Sequence, residues 1–307
     1  MNINNNINSN FDVFDISKII DILFLKKFLI IFISFIFFVA GISYSLLLED
    51  RYTSSTFLQV NSEDAQSSAS VLSSFSSGLG GLGGFAGING SASRADYAVA
   101  VINSKEFLSY LFLLDDLKQN VIAIESFDKN DNTVTFNSEI FNSESKTFLG
   151  EYSSEDFALN KFFEILAKDL KITKDNKTQF ISISYTHKSP LFSKFFLDTL
   201  LKELNEIIRK KELERSTNSI NYLINISSQT LNNEMRTAIS QLIETELKKQ
   251  MLANISKNYL LDPIDIPFKP IKKSEPTRSI ISILFGLFGG LLSSLFFIVS
   301  GLRSKEF

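Results

Sequence analysis

The chain of 307 residues has no cysteine and one histidine, His187. Lacking thiols, it has no disulfide framework, no thiol nucleophile and no zinc–thiolate centre. A single imidazole cannot build a multi-histidine metal site, so His187 reads as a structural residue and neither metal nor cofactor is expected. Charge is also nearly balanced, with 31 Lys and Arg against 34 Asp and Glu and a formal net charge of −3, which gives no basis for nucleic-acid binding. Proline and glycine are unevenly spread. Neither occurs between Pro190 and Pro263, whereas Gly78, Gly80, Gly81, Gly83, Gly84, Gly87 and Gly90 crowd a single serine-rich stretch.

Two apolar runs without charge, Phe28–Leu48 and Ser279–Leu302, stand at opposite ends of the chain, and no third run of this kind occurs. Each exceeds the roughly 20 residues that a helix needs to cross about 30 Å of hydrocarbon. The expected topology is a membrane hairpin: transmembrane helices at 28–48 and 279–302, short segments 1–27 and 303–307 on one face, and the domain 49–278 on the other. A cleaved signal peptide fits poorly, because the first run is long and its leader carries Asp12, Asp15 and Asp21. Lys18, Lys26 and Lys27 precede that run while Glu49, Asp50 and Arg51 follow it, which favours a cytoplasmic N-terminus and a periplasmic domain. Lys269, Lys272, Lys273 and Arg278 ahead of the second run argue weakly the other way, so the orientation rests on the first helix.

Within the domain, Tyr52, Ser54, Thr56, Leu58 and Val60 alternate with the period of a strand. Residues 67–93 read as a long Ser/Gly-rich loop. Ala95 to Leu117 has a helical pattern, with Tyr97, Val101, Phe107, Leu108 and Leu111 on one broad face. Thr133–Phe136 and Phe180–Tyr185 read as further strands, the second placing Ile181, Ile183 and Tyr185 on one side. Residues 190–261 form a long helical stem. Ser189-Pro190 supplies its start, and apolar residues recur through Leu197, Leu200 or Leu201, Leu204, Ile207 or Ile208, then Leu231, Met235, Ala238 or Ile239, and Leu242. Lys210 with Glu214 and Glu244 with Lys248 are candidate ion pairs one turn apart. Asn225 to Asn233 is poor in helix formers, so the stem either bends or folds back there. An apolar stripe on so long a helix needs a cover, which favours self-assembly. The fold class is therefore an α+β membrane protein, in which two terminal transmembrane helices flank a mixed α/β base with a long helical stem.

Residues 262–278 form a stiff proline strap containing Asp262, Pro263, Pro267, Pro270, Pro276 and Arg278. Inside the second run Ser282, Gly286, Gly290 and Ser294 recur every four residues, a small-residue stripe suited to close helix packing, and Gly41 and Ser45 form a shorter one in the first run.

Taken together, these residues resemble the Wzz-type chain-length determinants of O-antigen and related polysaccharides, the polysaccharide co-polymerases. The likeness is strongest from Leu242 to Gly290, through Met251-Leu252-Ala253, Tyr259, Asp262-Pro263, Pro267 and Pro276 to Arg278. The resemblance implies a non-catalytic regulator in the bacterial inner membrane. It would be a ring-like homo-oligomer beside a separate polymerase, controlling how many units a lipid-linked glycan such as lipopolysaccharide O-antigen acquires. A capsule or exopolysaccharide export co-polymerase is the alternative within the wider group. A two-span periplasmic sensor is less favoured, because Arg303–Phe307 offers no output module.

Enzymatic readings find little support. Gly78-Leu79-Gly80-Gly81-Leu82-Gly83 satisfies G-x-G-x-x-G in letters, but it lacks the strand before and the helix after that a phosphate cradle requires. No G-x-x-x-x-G-K-[ST] loop is present for a kinase. The neighbouring acids Asp115 with Asp116 and Glu155 with Asp156 read as solvated surface rather than a glycosidase pair.

Overall fold

The computed structural model describes residues 16–61, 94–129 and 131–303. The expected Ser/Gly-rich loop, with its G-x-G-x-x-G sequence, lies outside the described residues, as do positions before 16 and after 303. In chain order the elements are α1 (Ile16–Leu25), α2 (Lys27–Leu47), β1 (Tyr52–Val60), α3 (Arg94–Ile102), α4 (Lys105–Phe112), α5 (Asp115–Ile122), β2 (Ile124–Asp128), β3 (Thr133–Phe136), β4 (Phe141–Asn142), β5 (Thr147–Phe148), a 3-10 turn (Gly150–Ser153), α6 (Glu155–Asp169), β6 (Leu170–Lys174), β7 (Ile181–His187), α7 (Pro190–Gln229), α8 (Asn233–Ile255), β8 (Leu261–Asp265) and α9 (Arg278–Arg303). They divide into two compact units, one of residues 1–50 with 274–307 and one of residues 51–273.

In the first unit α2 and α9 are long and apolar enough to cross a bilayer. Their outward faces expose Phe28, Phe32, Phe35, Leu287, Phe288 and Leu291, side chains that a soluble protein would gather into a core. The separate helix α1 precedes them, within the short segment 1–27.

The second unit is built on an antiparallel sheet in the order β6-β7-β1-β8. Register along β1 and β7 runs from Tyr52 opposite His187 to Leu58 opposite Ile181. Alternation places Tyr52, Ser54, Thr56 and Leu58 on the buried side of β1, and Ile181, Ile183 and Tyr185 on that of β7, as their period of two requires. The first half of α7 covers this face with Phe192, Phe196, Leu197, Leu200, Leu204 and Ile208. That helix begins where the sequence marks it: Ser189 Oγ accepts a hydrogen bond from Phe192 N at 3.3 Å, and Pro190 occupies the first turn. Helices α3 to α6 complete the core through Ala98, Ile102, Phe107, Leu111, Phe162 and Leu166.

Three expectations need correction. Ala95 to Leu117 is not one helix but three short ones. Ser104 is extended and caps α4 by accepting from Phe107 N at 3.2 Å, and Leu114, also extended, separates α4 from α5. Tyr97 consequently leaves the common face and is 47% exposed. The helical stripe does not pass through Leu231, which is 98% exposed in the turn between α7 and α8. Asn232 starts the return helix there, its carboxamide oxygen accepting from Glu234 N at 2.8 Å and Met235 N at 3.3 Å. Finally, Lys210 pairs with Glu206 rather than Glu214, at 3.6 Å, while Lys248 meets Glu244 at 2.8 Å.

The stem is thus a helical hairpin. At 1.5 Å per residue, the 40 residues of α7 extend about 60 Å. Beyond the sheet its partner is α8: Ser216 Oγ donates to Glu246 O at 2.9 Å, and Gln250 Nε2 donates to Thr217 Oγ1 at 2.9 Å.

Candidate functional site

Sequence singles out two places, the small-residue stripes of the apolar helices and the proline strap. On α9 the buried small residues are Ser282, Gly286, Gly289 and Ser293. The four-residue series Ser282, Gly286, Gly290, Ser294 follows that face only at first. At 3.6 residues per turn each step of four drifts about 40°, whereas steps of four, three and four return to one side. Gly290 and Ser294 are accordingly half-buried, and the Ser294 hydroxyl donates to Leu291 O on its own helix at 2.8 Å. On α2 the facing set Ser34, Phe38, Gly41, Ser45 has the same four-three-four spacing, with Gly41 and Ser45 buried.

The two sets interlock. A Cβ on Gly41 would stand 2.7 Å from Phe285 Cβ, and one on Gly289 would stand 2.6 Å from Phe37 Cβ, both closer than carbon atoms pack. At Gly286 and Gly290 the corresponding approaches are 3.3 Å to Phe38 Cβ and 3.4 Å to Ser34 Oγ. Ser34 Oγ donates across the seam to Gly286 O at 2.6 Å, and the Tyr44 ring stacks on Phe285 at 5.9 Å. Gly289 is the member that a fixed spacing of four misses. The doubled glycine at 289–290 was the available signal. At the end of α9, Arg278 pairs with Asp50 at 2.9 Å.

The strap begins as β8, the edge strand, with Pro263 opposite Leu58. An edge is where a sheet tolerates a residue without an N–H. Asp262 Oδ1 accepts from Asn258 Nδ2 at 2.9 Å. The buried Asn205 of α7 fixes the entry to the strand: its amide nitrogen donates to Leu261 O at 3.0 Å and its oxygen accepts from Leu260 N and Leu261 N at 2.9 and 3.0 Å. Further along, Thr56 Oγ1 donates to Asp265 O at 2.6 Å and Ser54 Oγ to Phe268 O at 2.8 Å. Pro267 and Pro270 are buried, Pro276 is half-buried, and the segment has no helix before Arg278.

His187 ends β7 in a sealed aromatic pocket, 3% exposed, with the Phe192 ring centroid 4.6 Å away. Ser189 N donates to Nδ1 at 3.1 Å, so the neutral ring carries its proton on Nε2, which donates to Asn120 O at 3.0 Å. Burial, aided by the charges of Arg51 and Lys188, lowers its pKa to about 4 against the hydrogen bonds to Asn120 and Ser189. With both nitrogens held by backbone groups, the imidazole is not poised as a general base. Tyr185, fully buried beside it, has its pKa raised by burial and by the Asp169 charge. Asp169 is itself paired with Arg51 at 2.5 Å.

Comparison with known proteins bears on what such an assembly of packing and ties is for. No curated protein sequence matches the chain. Among solved structures, a chain described as a full-length bacterial polysaccharide co-polymerase aligns over 94% of this chain and 98% of its own, at 12% identity and a TM-score of 0.35. Residues 12–155, just under half of the chain, match the family described as Wzz, chain length determinant protein. This stretch is separate from Leu242–Gly290, where the motif likeness is strongest. Over residues 12–155 this chain is similar to the Wzz chain length determinants.

Proposed function

We propose that this protein is an inner-membrane polysaccharide co-polymerase that sets the chain length of a lipid-linked surface polysaccharide of the O-antigen kind. The observation that carries the reading is the Wzz match over residues 12–155. In it, residues 28–48 and 279–302 cross the membrane, 49–278 stand on the periplasmic side, and the chain forms a ring-like homo-oligomer beside a separate polymerase. Several features support this without requiring catalysis. The seam between α2 and α9 is closely packed, which is how helices associate in lipid, where hydrophobic burial supplies no driving force. The hairpin of α7 and α8 leaves Tyr222, Ile224, Leu247, Met251 and Ile255 exposed, apolar area that a neighbouring copy would cover.

Deleting the gene and resolving the surface glycan on a gel tests the reading. The expected result is loss of the preferred length, with glycan still reaching the surface. Loss of surface glycan with its length distribution intact would instead assign the protein to export.

A further inference from the structure

The strap contains a pattern that the packing of the sheet does not use. Pro267-Phe268-Lys269-Pro270-Ile271-Lys272 repeats proline, bulky apolar residue and lysine twice. Three residues is the period of a polyproline II turn, so in the irregular stretch up to Pro270 each position of the repeat lines its own edge, and the chain bends at Ile271 and Lys272. Burial follows the three edges. Pro267 and Pro270 are buried, Phe268 and Ile271 are 54% and 95% exposed, and Lys269 and Lys272 are exposed. The prolines therefore face the domain and hold the other two edges outward. The backbone is pinned in this attitude by Ser54 on the Phe268 carbonyl and by Thr56 on that of Asp265. Ile264 and Ile266, 50% and 71% exposed, extend the apolar surface upstream.

Three physical facts say what this surface meets. First, an apolar edge beside a cationic edge matches the boundary between acyl chains and phosphate headgroups, where the aliphatic part is buried and ammonium groups reach the phosphates. Second, neither Lys269 nor Lys272 has an ion-pair partner among the described residues. Third, Lys272 is followed six residues later by Arg278, the first residue of α9. Six residues of extended chain reach at most about 21 Å, so covalent connection alone keeps the repeat close to the mouth of that helix.

We propose that the repeat is a lipid-surface contact, in which Phe268 and Ile271 enter the interfacial layer and Lys269 and Lys272 bind the phosphates of anionic phospholipid headgroups. The inference rests on the reading of α2 and α9 as membrane spans. It assigns the strap a role of its own as a lipid contact, beyond linking domain to helix.

The chain has no tryptophan, so one introduced indole reports on one position. The experiment uses the full chain carrying Phe268→Trp, reconstituted in phosphatidylcholine vesicles with and without phosphatidylglycerol, with acyl chains brominated near the headgroup for positions 268, 271 and 222 and near the chain ends for position 291, which lies mid-helix. Ile271→Trp serves as a second reporter, Leu291→Trp marks α9, and Tyr222→Trp marks the stem. The expected result is blue-shifted emission and loss of intensity to the bromine at 268 and 271, stronger with phosphatidylglycerol, and no quenching at 222. Adding Lys269→Gln and Lys272→Gln should remove the phosphatidylglycerol dependence. Unquenched emission at 268 and 271 with quenching at 291 overturns the inference and leaves the membrane spans standing. A blue shift without quenching at 268 also overturns it, by assigning the apolar edge to a protein neighbour. Unquenched emission at 291 refutes the spans and the contact together.

Discussion

His187 shows how far a lone titratable group can be committed to folding. Its ring is enclosed by aromatic side chains and both nitrogens are satisfied by backbone, so the charged form has no place in the native state. Unfolded, the imidazole titrates near its ordinary 6.5, and folded near about 4. Between those values the unfolded chain holds the extra proton, so acid favours unfolding. The stability this group contributes is whole above pH 6.5 and falls away toward pH 4, by about 3 kcal/mol in all. Thermal unfolding of the full chain in detergent, followed across that window, should fall more steeply for the wild type than for His187→Asn, and equal slopes would contradict the assignment. That one histidine without cysteine builds no multi-histidine or zinc–thiolate centre follows from composition. Its pocket does not, because Asn120, Ser189 and Phe192 come together only when β7 lies against α7 and the end of α5.

At the scale of elements, the seam between α2 and α9 discriminates between adjacent glycines. Gly289→Ala should drive a methyl group into Phe37 and cost roughly 1–3 kcal/mol, whereas Gly290→Ala, at ordinary contact distance from Ser34, should be close to neutral. Melting of the full chain in detergent checks this: a drop of several degrees is expected for Gly289→Ala alone, and equal behaviour of the two variants would refute the packing. Small residues in both apolar helices were readable from sequence, but their phase was not. A series every four residues and a four-three-four series share Ser282 and Gly286, and diverge only as the helix turns away. The same limit applies in the domain. Strands β1 and β7 were legible because a period of two survives even with serine and threonine on the buried side. The breaks at Ser104 and Leu114 were obscured, since apolar residues continue through them and only a cap marks the boundary. The gap between α7 and α8 was visible as a run of poor helix formers, but Asn232 as its organising cap needed the structure.

The whole molecule combines two terminal apolar helices with a mixed α/β unit and a long helical hairpin, the coarse architecture that composition and periodicity imply. The Wzz match covers residues 12–155, and the motif likeness is strongest over Leu242–Gly290. Packing, capping and buried ties are what the described residues display, and the proposed role in setting polymer length rests on the Wzz match. The central claim is that this chain sets that length. It is tested most directly by measuring the length distribution of surface polysaccharide in cells lacking the gene, with and without the full chain supplied in trans. The expected result is a smoothly decaying distribution without it and a restored peak at a preferred length with it. The same distribution in both would contradict the account.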